Sequence, residues 1–123
     1  MRRTWLGLSV RVLRYFGVPL PPETDFEVGV DAWGRGMYET ALKEFRLLAE
    51  QGHTEAQMNL GIMYSQGQGV PKDDVQAYGW YTLAGGQGND LAEEFKNHLE
   101  KSMTPTQLAE AQRLAREGTP KGE

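Results

Sequence analysis

The sequence contains no cysteine. That absence removes disulfides, thiolate nucleophiles and thiolate metal sites together, and leaves the redox compartment open. Histidine occurs only twice, at His53 and His98. A zinc or general-base site needs three or more converging ligands, or a base held by an ordered partner. Neither histidine has such a set: His53 begins a helix beside Glu55, and His98 follows Glu94 by one helical turn. Both read as surface histidines, and no nucleophile, base and orienter set is found. Long apolar runs are missing too, none approaching the roughly 18–20 residues that a spanning helix needs. Basic charge is scarce beyond the first 22 residues. Arg2, Arg3, Arg11 and Arg14 stand there with no acid, whereas the remainder sets nine Lys and Arg against seventeen Asp and Glu. An acidic body argues against a nucleic-acid partner, whose phosphates need a basic stripe. A basic head on an acidic body fits a targeting or membrane-surface segment.

What the chain does have is a repeat. Between residues 38 and 92 the sequence matches itself 36 positions on: Ala41 falls on Ala77, Phe45 on Tyr81, Leu47 on Leu83, Gln51 on Gln87, Gly52 on Gly88 and Ala56 on Ala92. Periods of this length mark stacked supersecondary units, none of which buries its apolar face alone.

Apolar spacing makes the units helical. Ala41, Phe45, Leu48 and Ala49 recur at three to four residues, as do Ala56, Leu60, Met63 and Tyr64, and then Ala77, Trp80, Tyr81 and Ala84. Small alanines opposite large rings let neighbouring helices approach closely, so these aromatics read first as core. Capping patterns at Thr24-Asp25-Phe26-Glu27, Thr54-Glu55-Ala56-Gln57 and Thr104-Pro105-Thr106-Gln107 mark helix starts. Glycines at 34, 36, 52, 67, 88 and 118 mark stops. The expected helices lie near 24–34, 38–51, 54–66, 74–86, 90–102 and 105–117, the last a C-terminal cap. The expectation is an all-α fold: a short solenoid of antiparallel helix pairs, about two and a half repeats over residues 23–118, with a flexible tail at 119–123.

Residues 1–22 form a separate leader with a linker around Pro19, Pro21 and Pro22. A cleaved secretory signal fits poorly, since the apolar stretch is short and no Ala-x-Ala precedes Glu23. An amphipathic leader helix fits as well, with Arg11 and Arg14 on one face and Trp5, Leu8, Val12 and Phe16 on another. Its expected place is against a membrane surface or a partner. The expected compartment is the cytoplasm or the membrane periphery, with export to the periplasm as the alternative.

Residues Ala56-Gln-Met-Asn-Leu60-Gly61-Ile-Met-Tyr64-Ser-Gln-Gly67-Gln-Gly69-Val70-Pro71-Lys-Asp73, followed by Ala77, Trp80, Tyr81 and Ala84, resemble the Sel-one-like repeat family, relatives of tetratricopeptide repeats. The likeness covers roughly residues 25 to 102. It implies a right-handed superhelix of antiparallel helix pairs acting as a protein-binding adaptor or scaffold, and implies no catalytic residue and no cofactor. The chain departs from the family at Ala84-Gly85-Gly86, where Ala-Ala is usual, and at Gly79, where a larger residue is common. Each mid-helix glycine costs about 1 kcal/mol relative to alanine, so the patch marks weakness or a close backbone approach.

Two other motifs carry little. Gly67-Gln-Gly69-Val-Pro71-Lys72 lacks the Gly-x-x-x-x-Gly-Lys-Ser/Thr spacing and the strand-to-helix setting of a phosphate loop, and Asp73 and Asp74 would repel an anion. It reads as a repeat connector. Glu93 and Glu94 read as a solvated helix face.

The expected function is therefore a non-catalytic protein-interaction adaptor, a small accessory subunit of a larger complex, with a membrane-surface or envelope-associated factor as the alternative. Expected protein contacts are Tyr38, Gly79, Trp80, Gly85 and Gly86. Expected membrane or partner contacts are Trp5, Leu8, Arg11, Val12, Arg14 and Phe16. A homo-oligomer is a further open reading, because the flank of the first helix needs cover.

Overall fold

The computed structural model describes two short strands, β1 (Thr4–Trp5) and β2 (Leu8–Ser9), and residues 26–117. Over residues 26–117 the chain is helical: α1 (Phe26–Gly34), α2 (Tyr38–Glu50), α3 (Thr54–Gln66), α4 (Asp74–Gly86), α5 (Asp90–Glu100) and α6 (Pro105–Glu117). Each helix packs on the next from α1 to α5, while α6 lies against α4. Short connections make successive helices antiparallel neighbours. The result is a helical-repeat solenoid in which α4 touches α3, α5 and α6.

The 36-residue period appears directly in the backbone. At the α2–α3 turn, Gln51 N–H donates to Leu48 O, Gly52 N–H to Ala49 O and His53 N–H to Leu48 O, each at 3.0 Å. At the α4–α5 turn, Gln87 N–H donates to Ala84 O, Gly88 N–H to Gly85 O and Asn89 N–H to Ala84 O, at 3.1, 2.9 and 3.2 Å. Gly52 and Gly88 hold φ of +92° and +99°, which only glycine adopts without strain. The matched positions Ala41 and Ala77, Phe45 and Tyr81, Ala56 and Ala92 are all buried. Leu47 breaks the match by facing outward.

Two rings pack closely against helix backbone where glycine leaves room. A Cβ on Gly29 would stand 2.7 Å from Phe45 Cε1, and one on Gly61 would stand 2.6 Å from Tyr81 Cε1. Such contacts bring α1 onto α2 and α3 onto α4. Trp80, Phe45, Leu60 and Met63 are the largest fully buried side chains.

Three expectations change. The capping box at Thr104 is present in full: Gln107 N–H donates to Thr104 Oγ1 at 3.1 Å, and Thr104 N–H to Gln107 Oε1 at 3.0 Å. The one expected at Thr54 is not. Thr54 is already the first helical residue, and the cap is His53, whose Nδ1 accepts from Ala56 N–H at 3.1 Å. Asn89 does the same for Ala92 N–H one repeat later, at 2.9 Å. Gln57, freed from capping, is buried and bridges Ala49 O and Gln87. The expected start at Thr24 lies outside the described residues.

The second change is at the N-terminus. Where a leader helix was expected, Thr4 pairs with Ser9 and Trp5 with Leu8 in an antiparallel ladder. Thr4 and Trp5 are strand-favouring types. Arg11, Val12, Arg14 and Phe16 lie outside the described residues.

The third change concerns His53, expected as a surface residue. It is half-buried, and its ring stacks on Phe26 at 4.7 Å, which ties α1 to the start of α3. His53→Ala should cost about 1 kcal/mol for the lost cap, with a further ~0.5–1 kcal/mol for the lost stack. His53→Asn keeps a cap and loses only the stack, so denaturant midpoints should rank parent above Asn above Ala; equal midpoints for Asn and Ala would deny the cap its role.

Candidate functional site

A groove of about 360 Å³ opens between α3 and α5, over the ring of Tyr81 on α4. Ile62, Phe95, Leu99 and Tyr81 supply an apolar floor, and Ser65, Gln66, Lys72, His98 and Ser102 line the rest. The amphipathic stripe of each helix explains the arrangement: α3 and α5 turn their apolar sides toward α4 and leave polar residues at the edge of the contact. Tyr81 and Phe95 are in tilted contact, their ring centroids 5.7 Å apart.

The hydroxyls are already committed as donors. Ser65 Oγ–H donates to Ile62 O and Ser102 Oγ–H to Leu99 O, each at 3.0 Å. Tyr81 Oη reaches Ser65 Oγ only at 3.5 Å. Hydroxyl lone pairs are therefore what the serines offer an occupant, and they suit N–H donors such as those of a peptide backbone. Lys72 Nζ is held by Asp74 Oδ1 at 2.5 Å; the lysine is exposed and the carboxylate nearly buried. His98 is exposed at the rim.

Burial raises the Tyr81 phenol above its ordinary value of 10.0; the Ser65 hydrogen bond opposes the rise and the Asp74 charge adds to it. Tyr78, also on α4, is raised by burial as well, with Gln112 lowering and Glu100 raising it. Its Oη–H donates to Glu100 Oε2 at 3.2 Å. A neutral phenol favoured by the fold contributes stability that is intact below about pH 10 and is lost as pH rises through the folded-state value. Thermal melts should hold level up to about pH 9 and fall steeply above about pH 10, and Tyr78→Phe with Tyr81→Phe should flatten that fall. An unchanged slope in the double variant would assign the alkaline loss elsewhere.

The sequence-derived contact residues scatter. Tyr38 is at the surface, 36% exposed. Trp80 is fully buried and Gly79 is buried beside it, so neither presents surface to a partner in this fold. Gly85 is where Glu93 of α5 approaches: a Cβ there would run into the Glu93 carboxylate. The close backbone approach expected of this patch is thus made within the chain. Gly86 faces open space. None of these five lines the groove, although Lys72 and His98 had been noticed for other reasons. Ile62, Ser65, Phe95 and Ser102 carry no motif of their own, and a single helix, α4, separates the two helices that bring them together. Among the described residues no three His, Cys, Asp or Glu side chains gather to hold a metal ion, and no helix is long and apolar enough to cross a membrane.

A family model, the Sel1 repeat, matches residues 54–89, which are α3, α4 and the turn after them. That stretch is similar to a Sel1 repeat. Sel1 repeats are typically protein-interaction modules. Over 69 residues the chain is 36% identical to a protein of Rhizobium leguminosarum bv. viciae named exopolysaccharide production negative regulator, and 33% identical to the protein of that name from Rhizobium meliloti. The match takes in 56% of this chain and 26% of each relative, so the chain spans about a quarter of the length of the curated relatives it matches. The groove sits where the Sel1 repeat meets α5, with residues from both sides of that boundary.

Proposed function

We propose that the chain is a non-catalytic adaptor that holds a segment of a partner protein in the groove between α3 and α5. The observation that carries this reading is the groove itself, with an apolar floor for a side chain and serine lone pairs at its edge for backbone N–H groups. The relatives' names extend the reading to regulation of exopolysaccharide production, exerted by contact with a protein of that system. In that role the chain serves as an accessory subunit.

Ser102→Trp tests it, because Ser102 is exposed and an indole there fills the groove from its rim. Crosslinked affinity capture from the native cell should recover a stoichiometric partner with the parent chain and about tenfold less with the variant, at an unchanged melting temperature. Equal recovery by both chains would move the contact surface away from the groove.

A further inference from the structure

The place that the groove takes over Tyr81 has a counterpart one repeat earlier, where the chain puts a ring of its own. Gly29 and Gly61 mark equivalent points: a Cβ on Gly29 would stand 2.7 Å from Phe45 Cε1, and one on Gly61 2.6 Å from Tyr81 Cε1. Phe45 and Tyr81 are themselves matched by the 36-residue period. About one helical turn beyond each glycine, on the same helix face, stand Trp33 in α1 and Ser65 in α3. The Trp33 ring meets Phe45 edge to face, with centroids 5.7 Å apart and planes at 81°. Its Nε1–H donates to Gln68 Oε1 at 2.8 Å, in the connection after α3. Ser65 supplies no ring. Phe95 leans on Tyr81 from the opposite wall, where the earlier repeat has Asn59, yet a groove of about 360 Å³ lined by both Ser65 and Phe95 stays open.

We propose that this groove takes a tryptophan side chain of the partner segment, its ring against Ile62 and Phe95 and its indole N–H on Ser102. The inference rests on the reading that a partner segment occupies the groove, and it names the side chain that the segment presents. Ile62 and Phe95 are only half-buried, so both keep apolar surface for a ring to cover. Ser102 lies in the connection after α5, as Gln68 lies in the connection after α3. Its Oγ–H is spent on Leu99 O, which leaves oxygen lone pairs to accept a donor, the part Gln68 Oε1 plays for Trp33. A large ring with one N–H donor and no acceptor matches both features. Phenylalanine lacks the donor, and leucine lacks the ring as well.

Three acetylated, amidated peptides with tryptophan, phenylalanine or leucine between paired glycines test this in the full chain labelled with nitrogen-15. Titrated to millimolar concentration, the tryptophan peptide should move the amide resonances of Ile62, Ser65, Phe95 and Ser102. It should bind about tenfold tighter than the leucine peptide and about fivefold tighter than the phenylalanine peptide. Ser102→Ala should erase the advantage over phenylalanine and keep the one over leucine. Ser65→Trp should set the chain's own ring in the groove, as Trp33 is set on Phe45, and abolish the shifts; Ser102→Ala carries the test should that variant melt early. Equal affinities for the three peptides overturn the proposal and leave the groove a docking site. So does a partner whose capture Ser102→Trp abolishes while no peptide moves these resonances. Shifts confined to other surfaces, with capture indifferent to Ser102→Trp, overturn the tryptophan and the groove together.

Discussion

Trp80→Ala is expected to remove about 3–5 kcal/mol, the range for deleting a buried large aromatic side chain. A domain of this size holds on the order of 5–10 kcal/mol in all, so the variant should lose most of its cooperative melt near physiological temperature. The argument rests on burial: Trp80 is fully enclosed, and it shares the interior with Phe45, Leu60 and Met63. Its indole Nε1–H has no hydrogen-bond partner among protein groups. Trp80→Phe therefore loses area but no hydrogen bond, and should cost only about 1–2 kcal/mol. Circular dichroism melts of both variants check this. A Trp80→Ala chain that melts with the parent while losing its partner would make Trp80 a contact residue after all.

Gly61→Ala is expected to destabilise although alanine is the better helix former. Propensity favours the substitution by about 1 kcal/mol. Against it, the new methyl would sit 2.6 and 2.7 Å from Tyr81 Cε1 and Cδ1, and 3.3 Å from the backbone oxygen of Ala77. Tyr81 is itself buried and packed on Phe95, so its ring can give way only toward the groove, at the expense of that contact. Overpacking of this kind costs about 1–3 kcal/mol and forces α3 off α4, so the net loss should reach about 1–2 kcal/mol. Gly86→Ala provides the opposite sign: nothing lies within 4 Å of a Cβ there, and a few tenths of a kcal/mol should be gained near the helix end. Denaturant midpoints on either side of the parent would establish that ring contact, and not backbone freedom, fixes Gly61. Both midpoints rising would refute it.

How much of this was legible in the residues depends on range. Helix positions came from spacing of three to four and from local caps, so α2, α3, α4 and α6 fall within a residue of expectation. The Thr104 box was readable because both partners lie four residues apart at most. His53 was missed because imidazole is an unusual cap and Thr54 beside it is a common one; the repeat register to Asn89 was the clue. Trp80 was read both as core and as contact, and burial separates the two. The groove was out of reach, because it exists only where Ile62 and Ser65 meet Phe95 and Ser102 across Tyr81. No local pattern encodes a gap between two helices some thirty residues apart.

The paired turns at 51–53 and 87–89 have a consequence for how such a chain grows. Each turn closes its backbone hydrogen bonds onto the helix before it at matched positions and with the same glycine conformation, and caps the helix after it, through His53 Nδ1 in one and Asn89 Oδ1 in the other. Residues 54–89 therefore begin and end on equivalent seams. Duplicating that stretch in frame would insert a further helix pair with both junctions already satisfied, so length is a quantity that gene rearrangement can change here without inventing any new joint.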